Sequence, residues 1–323
     1  MRGYNRVIDC RFHPKQETRT PMILSFYCDD TNPYDAPPEA LKIFLDFAAS
    51  EGIAGEASVI LGYQWAGHGL LSRPAAKDQE AFLEQARRAF DCGIDTHFEL
   101  MTHNGLFDFA GLCEPAGAIH EGLWLYEPAV SQAEYEAYFE NIIAEGGRAG
   151  VRYTGLTWPG CGCPACSQRY QELHRQGITE PNPGVWQALL SLAQRGRFRG
   201  KTVPCFFGGA LEHSSARLRA SGGGCAIYEL APNAEDYLAL WLNDPAYASA
   251  DYYISADGQS GRMIDLFRRG EPYCLFYAHW QGLNPLNGAG WAAFTEVVKR
   301  VQKHLKDQAV WMRPSACAAS LNT

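Results

Sequence analysis

Met22-Ile23-Leu24-Ser25-Phe26-Tyr27-Cys28-Asp29-Asp30-Thr31-Asn32-Pro33 is an apolar run that ends in two adjacent carboxylates and then breaks at Asn-Pro. The run predicts a strand over residues 22–27. Its break sets both carboxylates at the C-terminal rim of a sheet, where α/β folds keep their active sites. Neighbouring side chains of a strand point to opposite faces, so the two Asp residues do not both sit as idle surface charge. An Asx-type turn at a strand end is the plainer account of such a pair, and the rest of the chain has to decide.

Outward from this stretch, short apolar runs alternate with amphipathic segments. Residues 38–50 predict a helix with Leu41, Phe44, Leu45 and Ala48 on one face. Residues 57–61 predict a strand, 78–90 a helix, 94–100 a strand. Ser131 with Glu134 three residues on forms a capping-box pattern for a helix over 131–145, and a strand over 151–156 follows. The second half continues with a helix over 185–194, strands over 202–207, 225–230, 252–255 and 273–278, a helix over 290–305 and a last strand over 309–312. Alternating strands and helices imply right-handed crossovers and a mainly parallel sheet. Seven or eight such units predict a closed or nearly closed barrel. Residues 1–20 are polar and mixed in charge and are expected to be an N-terminal extension, with residues 21–323 as a single domain.

The net charge of −8 argues against nucleic acid and anionic membranes as partners. No run approaches a membrane span, and Met1 to Thr20 lacks the apolar core of an export signal. Eleven cysteines, an odd number scattered along the chain, predict reduced thiols in a cytoplasmic protein rather than a disulfide framework.

The order of motifs resembles that of the polysaccharide deacetylases, carbohydrate esterases of the glycoside hydrolase/deacetylase superfamily. Asp29-Asp30 stands where that family has Thr-Phe-Asp-Asp-Gly-Pro. Gly93-Ile94-Asp95-Thr96-His97-Phe98-Glu99-Leu100-Met101-Thr102-His103 lies where it has a strand ending in His-x-x-x-His. Trp158-Pro159-Gly160 takes the place of Arg-x-Pro-x-Gly, and Cys274-Leu275-Phe276-Tyr277-Ala278-His279 resembles the strand that closes on a Leu-x-His-like motif. The similarity runs in order and spacing over most of residues 20 to 315. It implies a distorted (β/α) barrel of about seven parallel strands.

It also implies a reaction, the metal-assisted deacetylation of N- or O-acetylated sugars. Carried over by position, Asp29 is the base and His279 the acid, while Asp30, Glu99 and His103 hold a divalent metal, zinc in the family reading. Glu99 replaces a family His and makes the set more anionic; Glu is a competent zinc ligand. Asp95, His97 and Glu99 share one strand face, so His97 is a candidate stand-in ligand, second-layer partner or substrate contact, or else a hydrogen-bonded core residue. Gly-Pro after Asp30 and the Arg of the Trp158-Pro159-Gly160 motif are both missing. Trp158 and Trp280 flank matched motifs, and aromatic faces suit sugar rings.

Cys161-Gly162-Cys163-Pro164-Ala165-Cys166 has metal-ligand spacing, with Cys113 or Cys205 as a distant fourth ligand, but also reads as a tight turn of small residues. Ser221-Gly222-Gly223-Gly224 reads as a flexible loop and not a phosphate cradle, since no Lys-Ser/Thr follows. Three functional readings result. The first is a metal-dependent carbohydrate deacetylase. The second is a metal-independent glycoside hydrolase using Asp, Glu and His as acid and base. The third is a non-catalytic sugar-binding protein.

Overall fold

The computed structural model describes residues 20–60, 76–100, 106–110, 121–158 and 168–321. Of the expected extension over 1–20, only Thr20 is among them. The strands are β1 (Met22–Asp29), β2 (Gly55–Val59), β3 (Ile94–Glu99), β4 (Gly155–Thr157), β5 (Thr202–Phe206), β6 (Ser215–Gly222), β7 (Cys225–Ala231), β8 (Tyr273–His279) and β9 (Ala309–Trp311). The helices are α1 (Pro38–Glu51), α2 (Ala76–Arg88), α3 (Glu121–Trp124), α4 (Gln132–Arg148), α5 (Gln168–Arg175) and α6 (Pro183–Gln194) in the first part. They continue with α7 (Ala250–Tyr253), α8 (Arg262–Arg269), α9 (Trp280–Leu283), α10 (Trp291–His304) and α11 (Pro314–Ser320).

Every residue of β1 is buried, as a parallel strand covered on both faces requires. Leu24, Phe26 and Cys28 pack outward into the layer that α1 and α10 complete, where Phe26 meets Phe44 and Phe294 edge-on. Ile23 and Tyr27 point the other way, into an inner cluster with Phe206, Tyr228, Leu230 and Leu275. α1 forms where its local signals put it. Pro38 opens it, Leu41, Phe44, Leu45 and Ala48 form its buried face, and Gly52 ends it at φ 65°, donating its N–H to Ala48 O. The capping box at α4 is present, with Ser131 Oγ accepting from Glu134 N and Glu134 Oε2 accepting from Ser131 N.

The fold is mixed α/β with mainly parallel strands. β1 pairs with β8 from Ile23↔Tyr273 to Asp29↔His279 and with β9 at Met22 to Leu24. A second sheet has the order β2-β3-β4-β5-β7-β6, all parallel except β6. The continuous ladder of the expected closed barrel does not appear among the described residues. Two sheets meet at single bridges instead, Thr31↔Val59 and Ala234↔Phe276. The first has a local cause: Asp30 takes a left-handed conformation (φ 61°) and ends the β1 ladder one residue before the chain pairs with β2.

Other expectations shift. Residues 252–255 do not form a strand; α7 ends there, capped by Ser249. Ser221-Gly222-Gly223-Gly224 is no flexible loop. Gly222 pairs with Cys225, and Gly223 and Gly224 both adopt positive φ, the requirement of a two-residue hairpin turn between β6 and β7. At the opposite end of the sheets from Asp29, α11 closes the inner cluster with Cys317 and Ala318, and Ser315 donates from N and Oγ to Asp95. Burial raises the Asp95 carboxyl to about 6, against those hydrogen bonds. All six described cysteines are free thiols, and no described helix is long and apolar enough to cross a membrane.

Candidate active site

Parallel pairing puts the last residues of β1 and β8 side by side, so Asp29 and His279 are register partners at the C-terminal end of the strands. His279 Nδ1 lies 2.8 Å from Asp236 Oδ2, in the loop after β7. Asp236 is buried and its other oxygen accepts from Leu238 N at 2.8 Å, so the carboxylate is fixed and the imidazole is fixed by it. Burial alone would lower the His279 pKa. The hydrogen bond that Nδ1–H donates to Asp236 and the charges of Asp236, Asp30 and Glu99 overcome this and raise it. With Nδ1–H committed to Asp236, Nε2 is the nitrogen that can deliver a proton.

Asp30 sits on the adjoining turn. Its N–H donates to Glu99 Oε2 (3.0 Å), and its Oδ2 accepts from Gln281 Nε2 (3.2 Å), which also donates to Asp35 Oδ2 (2.9 Å). Asn32 Nδ2 donates to the Asp30 carbonyl (2.6 Å) and to Asp35 Oδ2 (2.8 Å), while Asn32 Oδ1 accepts from Tyr34 N and Asp35 N. The Asx-type turn is therefore real, but Asn32 makes it and leaves Asp29 and Asp30 to the site. Burial raises the Asp35 pKa, helped by the charge of Asp30 and opposed by Asn32 and Gln281.

A layer deeper, Ser58 Oγ lies 2.6 Å from Glu99 Oε2, and Glu56 Oε2 accepts from Cys28 N at 3.3 Å. Burial, then the charge of Glu99, raises the Glu56 pKa well above the ordinary carboxylate range and favours its neutral acid. His97 Nδ1 is 3.0 Å from Thr157 Oγ1 and 3.7 Å from Glu56 Oε1. Burial lowers its pKa to about 3, so it is neutral.

The structure thus brings Asp29, Asp30, Glu99 and His279 to one end of the strands. His103 lies outside the described residues, as do Cys113, Cys161, Cys163 and Cys166. Three other assignments change. His97 is fully buried and offers no atom to a substrate, since Gly155 and Tyr27 close over its ring. Trp280 is only 1% exposed and packs on Phe44, and Trp158, at 6%, is held between Tyr126 and Phe207. Neither indole presents a face to a sugar. Asp236, Asp35, Gln281 and Ser58 were not anticipated. For Asp236 a weaker signal exists: Glu235-Asp236 is an acidic pair a few residues beyond an apolar strand, after the break at Pro232-Asn233.

The metal implied by the resemblance can be tested against these donors. Among the described residues no three His, Cys, Asp or Glu side chains converge on a common point. Glu99 Oε2 already accepts from Asp30 N and Ser58 Oγ. The described residues do not fit a complete metal centre, and Glu99 acts here as a clamp on the Asp30 turn. Glu99→Ala should strand two buried donors and lower unfolding free energy by about 2 kcal/mol. Glu99→Gln keeps an acceptor oxygen and should lose less than half of that in urea titrations, with unchanged metal content.

No family model matches the chain, and no curated protein matches it. Among solved structures, one described as "T48 deacetylase with substrate" aligns over 93% of this chain and 92% of its own at 10% identity, with a TM-score of 0.43. A lactam utilization protein from Thermus thermophilus aligns over 91% of this chain and 99% of its own at 12% identity and a TM-score of 0.31. At these scores the likeness carries no argument about activity.

Proposed function

We propose that this protein is a carbohydrate-active hydrolase, on a distorted barrel of about seven parallel strands, that removes an N- or O-linked acetyl group from a sugar. The observation that carries the reading is the His279–Asp236 pair set beside Asp29. In this reading Asp29 takes the proton of an attacking water, and the His279 imidazolium gives a proton from Nε2 to the departing nitrogen or oxygen. Asp236 holds the ring and favours its charged form. Asp30, held by Glu99 and Gln281, lines the same end of the strands.

One feature favours glycosidic cleavage as the second reading. Asp30 and Asp35 share the Gln281 amide, and Asp35 is pushed toward its neutral acid. A carboxyl favoured in its neutral form beside a second carboxyl is the acid–base arrangement of a glycosidase.

Acetate release from acetylated oligosaccharides, measured with and without chelator and added zinc, tests the first reading. Asp29→Asn should reduce it by about 10²-fold or more with an unchanged unfolding midpoint. Release of sugar from aryl glycosides with no acetate from acetylated sugars would move the assignment to the second reading.

A further inference from the structure

Trp158 and Trp280 are buried, while another indole stands exposed on the same rim. Residues 237–249 rise from the C-terminal end of β7 as a narrow loop. Leu238 bridges Ala248, Ser249 N donates to Tyr237 O, and Asp244 N donates to Ala239 O. Its tip carries Trp241 and Leu242, 50% and 55% exposed, with Leu286 of the loop after β8 also 50% exposed. Loops after β7, β8 and β1 all open at the end of the strands that carries Asp29 and His279.

The tip is held firmly. Ala239, Leu240 and Asn243 all adopt positive φ (76°, 56° and 52°), a conformation that costs a non-glycine residue energy and persists only where surrounding contacts impose it. Asn243 supplies two of those contacts, donating to Asn287 O (2.9 Å) and accepting from Ala289 N (2.6 Å). A Cβ on Gly282 or Gly290 would overlap the Leu238 carbonyl, so the loop seats directly on the chain that follows His279. Its base is Leu238, whose N–H is bound by Asp236, the partner of His279. A large exposed indole on a strained, pinned loop is preorganised for a ligand.

We propose that Trp241 is the stacking platform of a sugar-binding subsite, receiving the apolar C–H face of a pyranose ring next to the unit that is hydrolysed. This rests on the carbohydrate reading of the acid–base cluster. Stacking on Trp241, with Leu242 and Leu286 as its apolar flank, is non-directional along the ring face, so it selects for chain length rather than for the identity of each hydroxyl.

Calorimetric titration of the full-length protein with chitotetraose and with acetylated xylotetraose and mannotetraose tests this, using wild type, Trp241→Ala, Trp241→Tyr and Leu218→Ala. Leu218 is an equally exposed apolar residue on β6 and serves as the control. Trp241→Ala should weaken the best-bound tetramer by about tenfold or more, while Trp241→Tyr should stay within about threefold of wild type. Leu218→Ala should bind as wild type does. If wild type binds a tetramer and Trp241→Ala binds it equally, the platform assignment is overturned and the hydrolase reading stands. If wild type binds none of the tetramers and hydrolyses none, the carbohydrate reading falls and takes the platform with it. Sedimentation of wild type as a dimer that Trp241→Ala dissociates would instead assign the tip to contact with a second copy of the chain.

Discussion

Asp236→Asn is expected to slow acetate release by about 10²–10³-fold and to move the alkaline limb of the pH–rate profile to lower pH. Burial pulls the His279 pKa down, and only the hydrogen bond it donates to Asp236 together with the neighbouring negative charges raises it. Without the Asp236 charge, burial gains weight and the imidazole loses its proton at lower pH. Since the acid is the protonated form, the rate then falls earlier as pH rises. The sign for stability follows from the same shift. A group whose folded pKa is raised contributes stability that is fully present below its unfolded value, near 6.5 for His. That contribution is lost as pH rises through the folded pKa. The stability gap between wild type and Asp236→Asn should therefore be wider at pH 5 than at pH 9. Imidazole proton shifts followed by NMR measure the pKa directly. A His279 resonance that titrates identically in the two proteins would remove Asp236 from the mechanism.

Gly155→Ala is expected to destabilise the protein by about 3 kcal/mol, the upper end of the usual overpacking cost. Gly155 pairs with His97 across β3 and β4. A Cβ there would lie well inside van der Waals contact of the Pro204 carbonyl oxygen and 2.5 Å from His97 Nε2. Neither neighbour yields easily. Pro204 is part of β5, paired with Tyr228, and the His97 ring is held by Thr157 and packed against Tyr27. Urea unfolding should show the loss, and the variant should also have reduced activity, because β3 carries Glu99 and so the Asp30 turn. Wild-type stability in Gly155→Ala would mean that β4 and β5 move apart at no cost.

Much of this molecule is local and hence legible in the chain. The β1 run is apolar throughout because both faces are covered, and Asp29-Asp30 ends it because the next residues must turn. α1 and α4 begin and end at capping and glycine signals that act over one helical turn. The mainly parallel arrangement follows from the alternation of strands and helices, whereas the meeting of Asp29, Asp30, Glu99 and His279 was implied by the resemblance in motif order. The expected strand at 252–255 failed because Tyr252 and Tyr253 have strand-like character while Ser249, three residues earlier, caps a helical turn. α11 carries a start signal in Pro314 and helix-forming alanines, but its short apolar run shows little periodicity, and its role depends on the inner cluster it closes.

What the amino-acid order determined by itself is the alternation of most strands and helices and the strand ends at which the acidic pair and the late histidine stand. Periodicity, caps and turns act within a few residues, so they survive reading in one dimension. Only the tertiary structure decided what each rim residue does. His279 takes its charged form from Asp236, 43 positions away, and Glu99 is committed to Asp30 and Ser58, 69 and 41 positions away. Burial decided between the two readings of His97 in favour of a hydrogen-bonded core residue, turned Trp158 and Trp280 from rim candidates into packing, and left Trp241 outside. Desolvation and hydrogen bonding depend on which atoms surround a group in space, and those neighbours come from parts of the chain that no local pattern connects.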